Sequence, residues 1–343
     1  MAKNILALDL NELKEFLKEH NQKSYHAQQI FDWIYRKGSA DFSLMSNLPA
    51  GLKNMLKDNF DILNLEIIKI QRAIDGTEKF LFKLKDGNLI ESVVIPVKGR
   101  VTACISTQAG CKFACKFCAS GFAGFKRNLT SAEMIEEVWQ LRNNSDRDKL
   151  THLVFMGTGE PFDNYEEVLK AVRIINSRPA FNIGARRITI STCGIIPGIE
   201  RLADEGLQIE LSVSLHSADD QARSKIMPVN KKYPLADLIR SCKGYIKKTN
   251  RQITFEYVMV KNLNSDLPNA RKVVKILAGL NCKVNIIPAN SVNELDIEPP
   301  GKLDILFFKD YLLKNRINVT LRRERGADIN AACGQLRLKY EKK

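Results

Sequence analysis

Three cysteines stand close together in the run Cys111-Lys112-Phe113-Ala114-Cys115-Lys116-Phe117-Cys118. Their spacing is C-x3-C-x2-C, and no fourth cysteine completes the run. Thiolates are soft ligands, and cysteines gathered this tightly point to zinc or to iron and sulfur. Core cysteines scatter according to packing, so the spacing argues for ligands. A structural zinc takes four protein ligands, and a [4Fe–4S] cluster held by protein alone also takes four. Three ligands on one short loop therefore predict a cluster with one iron left open to a small molecule. A zinc ion completed by a distant Cys or His is the alternative.

The elements that must position such a loop are legible in the rest of the chain. From about residue 100 the pattern repeats as strand, loop, helix. Strands are expected at 101–106, 150–156, 186–191, 208–215, 252–260, 282–287 and 317–321. Helices are expected at 131–142, 164–176, 234–249, 266–279 and 302–315. Such alternation implies a parallel sheet with right-handed crossovers, and six such units make an open, barrel-like α/β sheet. Residues that do chemistry belong where strands end and loops begin. The cysteine loop follows the first of these strands. Gly157-Thr158-Gly159-Glu160-Pro161, Ser191-Thr192-Cys193-Gly194, Ser214-Leu215-His216 and Pro288-Ala289-Asn290 follow later ones. Five polar or glycine-rich strand ends on one rim predict a ligand pocket.

Residues 10–60 read as helices. Asn11 is placed to cap the first, with Leu13, Phe16 and Leu17 on one face. Ser24 is placed to cap the second, with Ile30, Phe31 and Ile34 apolar and an end at Gly38. Pro49 opens the third, with Leu52, Met55 and Leu56 inward. Strands are expected at 62–72, 78–85 and 89–97, with a turn at Asp86-Gly87. These features divide the chain into a small unit at 1–96 and a larger one at 97–343.

The 343 residues carry a net charge of +14, which suits a polyanionic partner such as nucleic acid. Residues 1–96 hold 13 basic and 13 acidic side chains, so the whole surplus lies in the larger unit. No run of 18 or more apolar residues predicts a membrane span. The first residues lack a signal-peptide pattern, and eight irregularly spaced cysteines suit ligands and catalysts in a reducing compartment. A cytoplasmic location is expected.

Further motifs make the reading specific. They are Ser24-Tyr25-His26-Ala27-Gln28-Gln29-Ile30-Phe31-Asp32-Trp33-Ile34-Tyr35, Glu91-Ser92-Val93-Val94-Ile95-Pro96, and Gly326-Ala327-Asp328-Ile329-Asn330-Ala331-Ala332-Cys333-Gly334-Gln335-Leu336. With the cysteine loop, the Gly-Thr-Gly-Glu-Pro turn, Ile190-Ser191-Thr192 and Ser214-Leu215-His216, they resemble the RlmN family of radical S-adenosylmethionine (SAM) RNA adenine methyltransferases over nearly the whole chain. Two positions depart from the family pattern: Thr158 stands where it has Met, and Ala289 where it has an aromatic.

The resemblance implies a partial (β/α)6 radical SAM barrel with an N-terminal helical, RNA-binding accessory domain. It implies a [4Fe–4S] cluster on Cys111, Cys115 and Cys118, and two SAM molecules per turnover. Gly159, Glu160, Ser191, Ser214, Leu215, His216 and Asn290 would hold SAM. Ser191 read alone is also a helix cap, and His216 a hydrogen-bonded residue closing its strand. Cys333 would carry a methyl group from one SAM, and a radical made from the second would activate that methyl for attack on adenine C2. Glu91 would take the C2 proton. Cys104 would release the RNA through a transient disulfide with Cys333. Read alone, Cys104 is a small buried hydrophobe and Glu91 an exposed hairpin acid. Cys193, Cys242 and Cys282 are expected to pack.

The implied substrates are 23S rRNA, at one adenosine of the peptidyl-transferase centre, and tRNA, at the adenosine just 3′ of some anticodons. Lys23, Arg36 and Lys37 form a candidate basic patch on the accessory domain. An external flavodoxin- or ferredoxin-like electron donor and a monomeric state are also expected. Two rival readings remain: a Cfr-type enzyme acting on C8 of the same rRNA adenosine, and a zinc-stapled RNA-binding protein without catalysis.

Overall fold

The structure is a computed structural model describing residues 3–121, 124–146, 149–289, 298–322 and 324–331. Asn290 and Cys333 lie outside the described residues. One ten-stranded sheet runs through the molecule in strict sequence order. Its first three strands, β1 (Glu66–Arg72), β2 (Glu78–Lys83) and β3 (Leu89–Val97), form an antiparallel meander. The expected turn joins β2 to β3: Gly87 has φ +84°, and Leu84 N–H donates to the Asn88 carbonyl at 2.8 Å.

Seven parallel strands follow: β4 (Arg100–Ile105), β5 (His152–Phe155), β6 (Ile188–Thr192), β7 (Glu210–Ser214), β8 (Ile253–Met259), β9 (Cys282–Pro288) and β10 (Asn318–Leu321). The six crossovers between them make six β/α units closed by a seventh strand. β3 pairs with β4 antiparallel, Val93 opposite Cys104, so the sheet is continuous across residue 96.

The N-terminal helices are α1 (Leu10–Glu19), α2 (His26–Phe31), which continues as a π-turn to Arg36, and α3 (Ala50–Asn59). Two caps differ from expectation. Asp9, not Asn11, caps α1, because Asp9 takes the extended conformation and exchanges bonds with Glu12 as a capping box. The second helix starts at His26, and no side chain caps it; Ser24 contributes its carbonyl to Ala27 N–H.

Seven helices follow: α4 (Ser131–Asn144), α5 (Tyr165–Asn176), α6 (Ile196–Leu202), α7 (Asp220–Ile226), α8 (Leu235–Thr249), α9 (Leu267–Leu277) and α10 (Lys302–Lys314). The N-terminal helices dock on α4. Trp139 donates to the Ile34 carbonyl at 2.9 Å and Arg142 to the Tyr35 carbonyl at 2.6 Å. The Glu136 carboxylate accepts Asn64 N–H at 2.7 Å and Leu65 N–H at 2.6 Å. One hydrophobic core runs from these helices under the whole sheet. Among the described residues no helix is long and apolar enough to cross a membrane.

Candidate active site

The cysteine loop leaves β4 and sits over the strand ends. Ala114 takes φ +49°, Cys118 N–H bonds the Cys115 carbonyl at 3.0 Å, and Lys116 N–H bonds the carbonyl of Ile226 in α7 at 3.0 Å. Cys111, Cys115 and Cys118 line one pocket of about 170 Å³ together with Gly159, Glu160, Ser191, Ser214 and His216. Burial pushes the Cys111 thiol up to about 12 and the Cys115 thiol up as well; the neighbouring cysteines add to both shifts. A ligand there takes the cysteines as thiolates, and a cluster that neutralises them removes the cost of burying them.

Among the described residues no three His, Cys, Asp or Glu side chains converge on a single metal ion. Three thiols on one short loop at one pocket wall are a donor set that suits an iron–sulfur cluster, and Cys111, Cys115 and Cys118 would hold it.

The glycine turn after β5 is tightly specified. Gly159 has φ +110°, and a Cβ there would lie 2.7 Å from both Gln108 Cβ and Thr107 Oγ1. Glu160 is buried and bonded in several directions: Oε1 accepts Phe162 N–H at 3.0 Å and Oε2 accepts Cys193 N–H at 2.7 Å. Burial raises its pKa, and these bonds oppose the rise. Glu160 therefore locks the β5 and β6 strand ends together at the pocket edge.

His216 is buried with φ +52°. Its Nδ1 accepts Val258 N–H at 2.9 Å, and its ring lies edge-on to Phe117 of the cysteine loop with centroids 4.4 Å apart. Burial pushes its pKa down to about 3, with Arg223 adding to the effect, so the ring is neutral. Leu215 differs from the other expected SAM contacts. Its side chain is in the hydrophobic core, and only its backbone faces the site's supports.

Sequence reasoning missed one support, Arg223 of α7. It is fully buried and donates to the carbonyls of Cys193 (2.9 Å), Ser214 (2.8 Å) and Leu215 (3.1 Å) and to Asn230 Oδ1 (2.6 Å). The planar five-donor guanidinium holds two strand ends at once, which a lysine does not. The clue was the cationic residue seven positions after His216, in a stretch with no expected helix.

A larger cavity of about 1120 Å³ opens below and shares Met156, Glu256, Ile287, Pro288, Ala289 and Arg322 with the cysteine pocket. Cys104 lines it. Strand register places Val93, Cys104 and Val154 in one row across β3, β4 and β5. Ile329 and Ala331 of the C-terminal segment pack on that row. The β1–β2 turn clamps this segment: Ile74 N–H donates to Asp328 Oδ2 at 3.1 Å, and Gly326 N–H to Asp75 Oδ2 at 3.2 Å. The chain thus reaches a point two residues short of Cys333 while in contact with Cys104. Glu91 is buried rather than on an exposed hairpin face, and it pairs with buried Lys79 at 3.2 Å. Cys242 and Cys282 pack in the main core as expected, and Cys193 packs in a smaller cluster with Ile226, Met227 and Val229 while also lining the cysteine pocket.

This fold, with three cysteines after the first parallel strand, defines a radical SAM protein. Residues 105–272 match the family model for the Radical SAM superfamily, which implies a [4Fe–4S] cluster and SAM. Residues 3–62 match the model for a ribosomal RNA large subunit methyltransferase N-terminal domain. The chain is 46% identical over 339 residues to a Clostridium novyi (strain NT) protein named "Probable dual-specificity RNA methyltransferase RlmN", covering 98% of each. It is 47% identical over 341 residues to the protein of the same name from Clostridium botulinum (strain Eklund 17B / Type B), covering 99% of this chain and 98% of that one. The crystal structure of a radical SAM methyltransferase from Sphaerobacter thermophilus superposes with a TM-score of 0.94 at 41% identity, covering 98% of this chain and 99% of the other. The chain belongs to the RlmN family.

Proposed function

We propose that this protein methylates C2 of adenosine in 23S rRNA and tRNA, with Cys333 as methyl carrier, Cys104 as resolving thiol and Glu91 as base. The observation that carries the reading is the seating of Ile329 and Ala331 on Cys104, in a cavity that shares its wall with the cysteine pocket. Adenine C2 has no nucleophilic lone pair, so ordinary displacement on SAM fails there. The bound cluster and SAM supply the methyl group and the one-electron chemistry that this carbon needs.

The chain's own residues do the rest. Cys111, Cys115 and Cys118 hold the cluster. Gly159, Glu160, Ser191, Ser214, His216 and Asn290 shape the SAM side, and Leu215 contributes main chain only. Glu91 takes the C2 proton. The Cys104 thiolate then attacks the Cys333 sulfur; the S–C bond breaks toward the methylene carbon, which gains a proton, and an S–S bond forms. An outside dithiol reduces that transient disulfide. The protein acts as a cytoplasmic monomer fed by a flavodoxin- or ferredoxin-like donor, with residues 1–96 as RNA-binding accessory domain and 97–343 as catalytic unit.

Nucleoside chromatography of RNA treated with the reconstituted enzyme tests this. A 2-methyladenosine peak is expected. A dominant 8-methyladenosine peak favours the Cfr-type reading, and a colourless protein without iron favours the zinc-stapled one.

A further inference from the structure

The large cavity has a second end that the methyl-transfer residues do not use. Parallel strands all start on one side, opposite the cysteine loop, and four residues at those starts line the cavity: Arg100 at the head of β4, His152 at the head of β5, Arg186 just before β6 and Lys283 near the head of β9. Arg100 donates to Thr102 Oγ1 at 2.9 Å and Arg186 to Gln208 Oε1 at 3.1 Å, both neutral acceptors. Among the described residues none of Arg100, Arg186 and Lys283 has a carboxylate partner within 4.0 Å, although many other surface cations do, such as Lys170 with Glu12 and Arg201 with Glu166. The acid at that edge, Glu210, is taken by Arg251. Glu256 lies deeper, is bonded to Ser212 and Asn285 and feels the charge of Arg322 and Lys283, and Glu324 lines the cavity beyond the end of β10. The local field is positive: burial, Arg100 and Arg187 together hold the His152 ring below its usual range.

We propose that this strand-start mouth is the subsite for the RNA backbone phosphates flanking the target adenosine, with Arg100, Arg186 and Lys283 as the contacts. The inference rests on the RNA reading above and adds where the polyanion sits. Cations with no carboxylate in contact, set around an open cavity, attract phosphate, and guanidinium groups grip it through paired N–H bonds. Along β4, Cys104 lies four positions beyond Arg100, about 13 Å of strand. A nucleotide turned out of its stack reaches inward over much of that span, and the long arginine side chain covers the remainder. The base then lies beside Cys104 while its phosphates stay at the mouth.

The test is the salt dependence of binding, read by fluorescence anisotropy with a stem–loop RNA carrying one unpaired loop adenosine. A triple variant, Arg100→Gln, Arg186→Gln and Lys283→Gln, is compared with a control triple of exposed outer cations, Lys243→Gln, Lys247→Gln and Lys275→Gln. Both lose the same charge. Each lost phosphate contact is expected to flatten the slope of log K against log salt by about 0.7. The mouth triple therefore loses about two slope units and at least tenfold in affinity at low salt, and the control changes little. If the triple fails to melt cooperatively, Arg186→Gln and Lys283→Gln are measured singly, each losing about 0.7. Equal effects in mouth and control variants overturn the inference alone. A wild-type protein that binds no RNA overturns the functional reading with it.

Discussion

The Lys79 ammonium lies 3.2 Å from Glu91 Oε1 and, at the same distance, donates to the carbonyl of Asn330. One buried cation thus joins the proposed base to the segment that leads into Cys333. The strands explain it: Lys79 faces Val93 across β2 and β3, so Lys79, Val93 and Glu91 share one side of the sheet with Cys104.

Lys79→Met is expected to leave Glu91 buried without its partner and the C-terminal segment without one tether. Breaking a buried pair from one side costs about 3–5 kcal/mol. Urea unfolding at pH 7 reads the stability loss. Diamide oxidation of the protein without cluster reads the tether: the yield of a Cys104–Cys333 disulfide is expected to fall several-fold. An unchanged yield contradicts a positioning role for Lys79.

Gly159→Ala forces a Cβ into Thr107 and Gln108 at a positive φ. Strain of this kind costs about 1–3 kcal/mol. SAM binding, followed by equilibrium dialysis, is expected to weaken at least tenfold, while Gly184→Ala, where nothing lies within 4 Å of the new Cβ, leaves it unchanged. Equal SAM affinity in both variants contradicts a role for the turn in the SAM pocket.

Burial pushes the Glu136 carboxyl up to about 7 from an ordinary 4.5. Between those values the folded protein holds the proton and the unfolded chain releases it. Stability from this group is therefore greatest at low pH and falls as pH rises through that window, by roughly 3 kcal/mol. The wild-type urea midpoint is expected to drop between pH 5 and pH 7.5 relative to that of Glu136→Gln, whose amide keeps an acceptor for Asn64 and Leu65. A difference that stays constant with pH contradicts the raised carboxyl.

The barrel was readable because its strands are apolar runs bounded by turn residues, and its five longer crossover helices carry an apolar face. The short α6 and α7 escaped because seven residues make too little periodicity to register. Gly159 and Glu160 were legible as a turn type. The partners of Glu160 were not, because the Cys193 amide comes from another strand. The Lys79–Glu91 pair depends on strand register across a hairpin, and an acid in an otherwise apolar-rich strand reads as an exposed residue. Leu215 fell in the right tripeptide, but strand alternation turns its side chain into the core.

The account's central claim is tested most directly by Cys104→Ala purified from cells. Release needs the Cys104 thiol, whereas formation of the adduct does not. The variant is expected to carry nuclease-sensitive RNA that stays bound to Cys333 on denaturing gels. Cys333→Ala and the double variant are expected to carry none. Normal turnover by Cys104→Ala, or an adduct that persists without Cys333, contradicts the two-cysteine mechanism.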